Sequence, residues 1–200
     1  VLQDEAQEDF EKMAAITPTE EGYFETSVWK HAKNRIVWLL ILMLSAAITG
    51  NILAQYEAAF AVAPLLVAFI PMIMGTGGNC GSQSSTLIIR GLATDEIKLK
   101  DIFRVIWKEI RVAFIVGVAL AIVNAIRVII QYRDIQLAVV LGITLIVTTI
   151  ISKVLGCVLP MLAKRLKLDP AIMAAPLITT LVDVCSILVY FQVATSIMGL

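Results

Sequence analysis

The residue best placed to do chemistry is Asp183, an acid inside an otherwise uncharged carboxyl-terminal stretch. Residues 170–182 and 184–200 carry no charged side chain. As a helix rising about 1.5 Å per residue, this stretch puts Asp183 about 20 Å beyond Asp169, near the middle of a lipid bilayer. A carboxylate at that depth is costly unless it faces water, an ion or a partner group. Asp183 is therefore a candidate cation-binding residue.

Side chains three, four and seven residues from Asp183 extend a polar stripe along the same side of this helix. The members of the stripe are Pro176, Thr179, Thr180, Ser186 and Tyr190. Oxygen ligands suit hard cations such as Mg²⁺, so Thr179 and Thr180 are candidate metal-binding residues beside Asp183. The alternative is a protonated Asp183 that donates a hydrogen bond to a neighbouring helix and binds no ion.

A second polar segment, residues 75–86, interrupts another apolar stretch. Its twelve residues include four glycines and seven Thr, Asn, Ser or Gln side chains. Small residues let helices approach closely, and amide side chains bond between helices or line a wet cavity. Gly77, Gly78, Asn79 and Gln83 are thus candidates for lining a pore or packing at a dimer interface. Helix packing alone is the competing interpretation.

Acidic residues at the start of the chain form the third feature. Residues 1–25 hold eight carboxylates and one lysine, and Asp169 precedes the last apolar stretch. Facing carboxylates attract divalent cations. The signal alone is unspecific, but a divalent cation could bridge this acidic segment to Asp169 or its neighbours.

The elements that must position these residues are membrane-spanning helices. The chain has 200 residues, of which 59% are hydrophobic and 16% charged, whereas soluble domains are about half apolar and a quarter charged. A span of about 20 helical residues crosses the roughly 30 Å hydrocarbon core. The sequence predicts an all-α protein with five spans in a lipid bilayer. It excludes a soluble enzyme, and no nucleic-acid partner is expected.

The predicted spans follow the uncharged runs, at residues 36–54, 58–89, 112–130, 137–162 and from 169–170 almost to 200. The second would be about 48 Å long as a straight helix, so it is expected to bend, tilt or protrude, and Pro64 and Pro71 are places where it could bend. The connection at 90–111 is expected to be a loop containing a short interfacial helix that begins near Thr94.

Basic residues favour one orientation. Three Lys or Arg residues lie directly before the first span, at positions 30–35, six follow the second and three follow the fourth, against none and two in the opposite connections. By the positive-inside rule, the amino end is predicted to be cytoplasmic and the carboxyl end external, in the inner (plasma) membrane.

Four short sequence strings, spread over essentially the whole chain, resemble those of one protein family. The sequence reads PMIMGTGGNCGSQS at 71–84, RGLAT at 90–94, DPA at 169–171 and SVWK at 27–30. With the polar stripe around Asp183, these strings closely resemble the MgtE magnesium channel and transporter family.

The resemblance implies a homodimer of five-helix protomers, with a central ion path formed mainly by the second and fifth spans. It implies that the residue matching Asp183 binds hydrated Mg²⁺. Family members usually carry cytoplasmic regulatory domains, absent here, joined by a connecting helix. Residues 1–28 are then expected to be the end of that helix, and 29–200 the transmembrane pore domain.

The resulting expectation is inward Mg²⁺ flux down its electrochemical gradient through a dimer pore. Mg²⁺ is also expected as a regulatory ligand, which would bridge the acidic segment to Asp169 or its neighbours and draw a helix across the pore mouth. Two alternatives remain open. One is a proton- or sodium-coupled divalent-cation transporter in which Asp183 is the coupling acid. The other is a structural membrane subunit without a transport path.

Overall fold

The computed structural model describes residues 2–19, 21–56, 61, 63–173 and 175–199, and no strand occurs among them. Five helical segments are long and apolar enough to cross a membrane: Val28–Gln55, Pro64–Ala93, Leu99–Tyr132, Ile135–Arg165 and Pro176–Met198. The all-α class and the five spans predicted from the sequence are confirmed.

The α-helices are α1 (Leu2–Met13), α2 (Val28–Gln55), α3 (Ile70–Ala93), α4 (Ile102–Tyr132), α5 (Ile135–Arg165) and α6 (Ala175–Met198). Short 3₁₀ helices at Pro64–Phe69, Leu99–Asp101 and Pro170–Met173 precede α3, α4 and α6 respectively.

Local capping chemistry sets the ends of α4 and α5. Arg133 takes a left-handed backbone conformation (φ 55°), and its N–H donates to the carbonyl of Ile129. The carboxylate of Asp134 then accepts a hydrogen bond from the N–H of Leu137 at 2.9 Å, which caps the first turn of α5. These two residues turn the chain, so α4 and α5 form a tight antiparallel pair.

The prediction of a loop with a separate interfacial helix at 90–111 was wrong. Helix α4 begins at Ile102 and runs without interruption through the third span. Thr94 ends α3 instead of starting a helix, and its hydroxyl donates to the carbonyl of Arg90 at 3.0 Å. The charges at 104–111 limit the part of α4 that lies in hydrocarbon, but charged side chains do not end a helix.

Pro64, Pro71 and Pro176 lie at the starts of helices, whereas Pro160 lies inside α5. Pro64 opens a 3₁₀ helix, and Pro71 and Pro176 occupy the first turns of α3 and α6, where the missing N–H has no intrahelical partner to lose. The second span therefore changes from 3₁₀ to α-helix between Phe69 and Ile70. Residues 57–60 and 62 of the predicted second span lie outside the described residues.

Helix α3 packs against α5 and α6. Apolar clusters hold it at both ends. One contains Phe69, Ile73, Leu141 and Phe191, and the other contains Ile88, Leu92, Cys157 and Met161. Helix α2 packs mainly against α6, and Thr49 is its one buried residue. The polar segment 75–86 is thereby fixed between the two clusters.

Candidate functional site

Asp183 lies on α6 and is half-buried. The structure gives it no hydrogen bond or ion pair with another described residue. Because α6 begins at Ala175, Asp183 is about 12 Å along a helix about 36 Å long, closer to the amino end than the sequence suggested. Its carboxylate is thus partly exposed and has no partner among the described residues.

The threonines beside Asp183 have oriented hydroxyl groups. Thr179 and Thr180 each donate to the carbonyl of Pro176 at 2.9 Å. A hydroxyl that donates in this way retains lone pairs that can accept from water or face a cation. Pro176, Thr180 and Asp183, at i, i+4 and i+7, are all partly exposed along one side of α6.

The remaining two members of the predicted stripe are buried inside the protomer. Tyr190 is fully buried, and its hydroxyl donates to the carbonyl of Leu66 at 2.9 Å. Ser186 is also buried, and its Oγ faces Gly77 of α3. The stripe thus divides into a partly exposed portion around Asp183 and a buried portion that joins α6 to the rest of the chain.

The glycines of the polar segment make the contact between α3 and α6 possible. A Cβ on Gly78 would lie 2.6 Å from Cγ2 of Thr179, and a Cβ on Gly77 would lie 2.8 Å from Oγ of Ser186. Both distances are shorter than the contacts that Cβ atoms make in proteins, so a side chain at either position would clash with α6. Gly77 and Gly78 therefore pack within the protomer and place α3 directly against the helix that carries Asp183.

The other face of α3 carries polar side chains that are exposed. Asn79 and Gln83 lie four residues apart, one turn of helix, and both are exposed, as are Gly75 and Thr86. Nothing lies within 4 Å of a Cβ placed on Gly75. The protomer thus presents a strip of amides and hydroxyls on the surface of a membrane-spanning helix.

Asp169 is engaged by a lysine from the amino-terminal helix. Lys12 Nζ lies 2.5 Å from Asp169 Oδ2 and 2.6 Å from Glu8 Oε1, while the N–H of Ala171 donates to Asp169 Oδ1 at 2.9 Å. Burial raises the pKa of Asp169, but the hydrogen bonds from Lys12 and Ala171 outweigh it and hold that pKa below its ordinary value. Asp169 precedes α6, so the structure does not combine it with Asp183 in one site.

A buried polar group that the sequence did not reveal links three helices. Ser84 of α3 donates to Glu109 Oε2 of α4 at 2.5 Å, and Lys153 Nζ of α5 donates to Ser84 Oγ at 3.3 Å. Lys153 is 5% exposed, and its Nζ lies 4.0 Å from Glu109 Oε2. The available signal was Lys153 itself, a lone charge between apolar runs, but its partners are 44 and 69 residues away in sequence.

The described residues contain no group of three or more His, Cys, Asp or Glu side chains placed to hold a metal ion. What the protomer offers is one unpaired carboxylate, two threonine hydroxyls beside it, and an adjoining helix with exposed amides. This arrangement can bind a cation that keeps most of its own water, through contacts from the carboxylate and hydroxyl oxygens to the bound waters.

Comparisons with known proteins give one consistent result. The family model MgtE, described as a divalent cation transporter, matches residues 70–193. The chain is 38% identical over 192 residues to the magnesium transporter MgtE of Bacillus subtilis, covering 96% of this chain and 42% of that protein. It is 37% identical over 194 residues to the protein of the same name from Thermus thermophilus, covering 97% and 43%. The Enterococcus faecalis protein of that name is 31% identical over 198 residues, covering 99% and 43%. The chain spans less than half the length of these relatives.

Proposed function

Because the chain belongs to the MgtE family of divalent cation transporters, we propose that it carries Mg²⁺ across the membrane through a pore between two copies of itself. Asp183 is the ion-binding residue. The family is one of transporters, which agrees with the exclusion of a soluble enzyme from composition. The similarity of the chain to three relatives named magnesium transporters supports Mg²⁺ as the cargo.

The exposed polar strip on α3 is the observation that carries the pore proposal. Asn79 and Gln83 would face hydrocarbon if the protomer stood alone in the bilayer, and burying unpaired amides in an apolar medium costs free energy. A second copy of the chain removes that cost if its own polar strip lies opposite this one, because the amides then face each other or water instead of hydrocarbon. Twofold symmetry is by far the commonest symmetry of soluble homo-oligomers, and with the same symmetry here the strips of both copies would line one water-filled path.

The ion chemistry fits one acid per protomer. Mg²⁺ dehydrates reluctantly and is commonly held by one or two carboxylates while keeping several waters. Two Asp183 side chains around the twofold axis supply that charge. The oxygens of Thr179 and Thr180 accept from the ion's waters beside them. In this arrangement, residues 29–200 form the pore domain.

Flux is inward and needs no coupling ion. The Lys and Arg distribution supports an amino end in the cytoplasm of a cell whose inner (plasma) membrane holds the protein. A membrane potential contributes about 2.3 kcal/mol per charge per 100 mV, or roughly 4.6 kcal/mol for a divalent cation. That driving force suffices for uptake by a channel.

Regulation is assigned to the amino-terminal segment, residues 1–28, as the end of a connecting helix. Lys12 already links this segment to Asp169 at the amino end of the helix that carries Asp183. A regulatory Mg²⁺ that bridges acids of the segment to Asp169 must therefore displace Lys12. The cytoplasmic domains expected from the family would strengthen such a clamp.

The site assignment is tested by Asp183→Asn, with Asp95→Asn as the matched control. Asp95 is exposed and has a left-handed backbone (φ 55°), which Asn tolerates well, so the same chemical change there should be silent. We expect Asp183→Asn to abolish growth rescue of a cell deficient in Mg²⁺ uptake at unchanged membrane expression. Near-normal rescue by Asp183→Asn would remove Asp183 from the ion site.

Current recordings of the purified protein in planar bilayers distinguish a channel from a proton- or sodium-coupled transporter. A channel gives currents set by the Mg²⁺ gradient and voltage alone. Flux that follows an imposed proton or sodium gradient would instead make Asp183 a coupling acid. A structural subunit would show no conductance and no thermal stabilisation by Mg²⁺.

A further inference from the structure

A cavity of about 920 Å³ lies away from the polar strip of α3. Its walls come from the last turns of α3, the connection to α4, the first turns of α4 and one residue of α5, Lys153. The apolar cluster of Ile88, Leu92, Cys157 and Met161 packs beneath it and fixes these elements relative to one another. The cavity is therefore built into the fold of the protomer.

Basic residues dominate one wall of this cavity. Arg104, Lys108 and Arg111 are at i, i+4 and i+7 on α4, which places all three on one side of that helix. Arg90, from the last turn of α3, adds a fourth cation from a second direction. None of the four forms an ion pair with another described residue.

Two of the three acids that line the cavity are already engaged. Glu109 accepts a hydrogen bond from Ser84 and lies 4.0 Å from the buried Lys153 ammonium. The positive charge of Lys153 therefore offsets the negative charge of Glu109. Asp101 accepts from the N–H of Lys98 at 3.0 Å. With Glu96 as the third acid, the wall retains an excess of positive charge.

The cavity lies where membrane headgroups would be. Residues 112–126 of α4, directly after this wall, contain no charged side chain and would enter the hydrocarbon. Trp107 and Phe103 are 61% and 83% exposed at the same level, as in the aromatic belts of membrane proteins. Leu87 and Val112 extend the lining towards the hydrocarbon side. The lining is thus basic at one end and apolar at the other.

We propose that this cavity binds the phosphate headgroup of an anionic phospholipid, with the start of the acyl chains along Leu87 and Val112. Guanidinium groups bind phosphate oxygens through paired, charge-assisted hydrogen bonds, and basic pockets between membrane helices suit acidic lipid headgroups. A lipid is favoured over free phosphate because the apolar end of the lining would gain nothing from a soluble anion. The site is independent of the proposed ion path.

The test is native mass spectrometry of the full chain purified in mild detergent and titrated with phosphatidylglycerol or phosphatidylcholine. We expect retained phosphatidylglycerol, little phosphatidylcholine, and no displacement by inorganic phosphate or glycerol phosphate at equal concentration. Removing two charges with Arg104→Gln and Lys108→Gln together should weaken phosphatidylglycerol binding by about tenfold or more.

The chain offers a matched control in Lys98→Gln with Lys100→Gln, two exposed lysines of the same connection that do not line the cavity. This pair should weaken binding by less than about twofold, because it changes surface potential without touching the cavity. The exchange Arg104→Lys with Lys108→Arg keeps the charge and should keep most binding. Arg90→Gln, on α3, removes a cavity charge from a different helix and should also weaken phosphatidylglycerol binding.

Equal weakening by the cavity pair and the control pair would overturn the proposal, since binding would then reflect surface charge alone. Equal retention of phosphatidylcholine would overturn it too. Displacement by inorganic phosphate would identify a soluble-anion site instead of a lipid site. Gel filtration and helicity measurements confirm that each variant compared is folded.

Discussion

At the scale of single residues, the protein keeps its charges near or inside the membrane in two different ways. Asp183 has no partner among the described residues, whereas Glu109 and Lys153 are joined through Ser84. A buried charge pair is close to neutral for stability as a whole, but removing one partner leaves the other charge uncompensated. The unpaired acid suits ion binding and the joined pair suits structure.

This difference predicts a large effect at Lys153. Lys153→Met should destabilise the protein by about 1–3 kcal/mol, because Glu109, which is only partly buried, loses its cation and Ser84 loses a hydrogen-bond donor. Adding Glu109→Gln should recover part of that loss. Denaturant unfolding in detergent measures both, and Lys100→Met, at an exposed position, is the control. Strictly additive losses in the double variant would show that the two residues do not interact.

The Lys12–Asp169 pair predicts pH-dependent docking of α1. The folded-state pKa of Asp169 is depressed, so its contribution is present above the unfolded value of about 3.9 and is lost as pH falls through the lower folded value. The amides of α1, compared at each pH with their intrinsic exchange rates, should therefore be well protected near neutral pH and should lose that protection only as the pH falls below about 3.9 towards the folded-state pKa.

The same exchange measurement tests whether the docking of α1 depends on Lys12 itself. Lys12→Met should give fast exchange of α1 at neutral pH, and Lys12→Arg should preserve protection because the charge remains. Unchanged protection in Lys12→Met would assign the docking of α1 to other contacts.

At the scale of elements, the two faces of α3 differ: one packs against other helices and the other is exposed. One face carries glycines that let α5 and α6 approach, and a Cβ on Gly81 would lie 2.7 Å from Cγ2 of Ile178. The other exposes Asn79 and Gln83. A single polar segment therefore serves both packing and, in the proposed dimer, the ion path.

The two faces predict opposite responses to the same substitution. Gly78→Ala or Gly81→Ala should lower stability by about 1–3 kcal/mol through overpacking against α6. Gly75→Ala should not, since nothing lies within 4 Å of its Cβ. Thermal unfolding in detergent, followed by light scattering or fluorescence, measures the difference. Equal destabilisation at Gly75 and Gly78 would contradict the packing seen here.

At the scale of the whole molecule, the isolated protomer leaves two kinds of surface on its membrane helices. The exposed face of α4 around Ile115, which is 70% exposed, is apolar and suits lipid. The exposed face of α3 is polar and does not. This contrast locates the proposed contact between copies on α3.

A cross-linking experiment tests that location. In a background with Cys80, Cys157 and Cys185 replaced, Gln83→Cys should form a covalent dimer on oxidation or with a short bis-maleimide in membranes. Ile115→Cys, which is also exposed but lies on an apolar surface of α4, should not. Linkage through Ile115 with none through Gln83 would place the interface between copies elsewhere.

The sequence by itself determined the features that depend on composition along the chain. Uncharged runs predicted five spans because hydrocarbon excludes charge, and the position of Asp183 within such a run identified it as a candidate site. Span ends were less well determined. The charged segment ending at residue 111 was interpreted as a loop, and Pro64 and Pro71 as places to bend, but a helix continues through charged residues and tolerates proline in its first turn.

Only the tertiary structure decided which residues meet. It buried Ser186 and Tyr190 while leaving Thr180 beside Asp183 partly exposed, although all four share one helix. It also joined Ser84, Glu109 and Lys153 across three helices. These outcomes depend on how α3, α5 and α6 are rotated about their own axes, which the glycine contacts fix and which no local pattern in the sequence specifies.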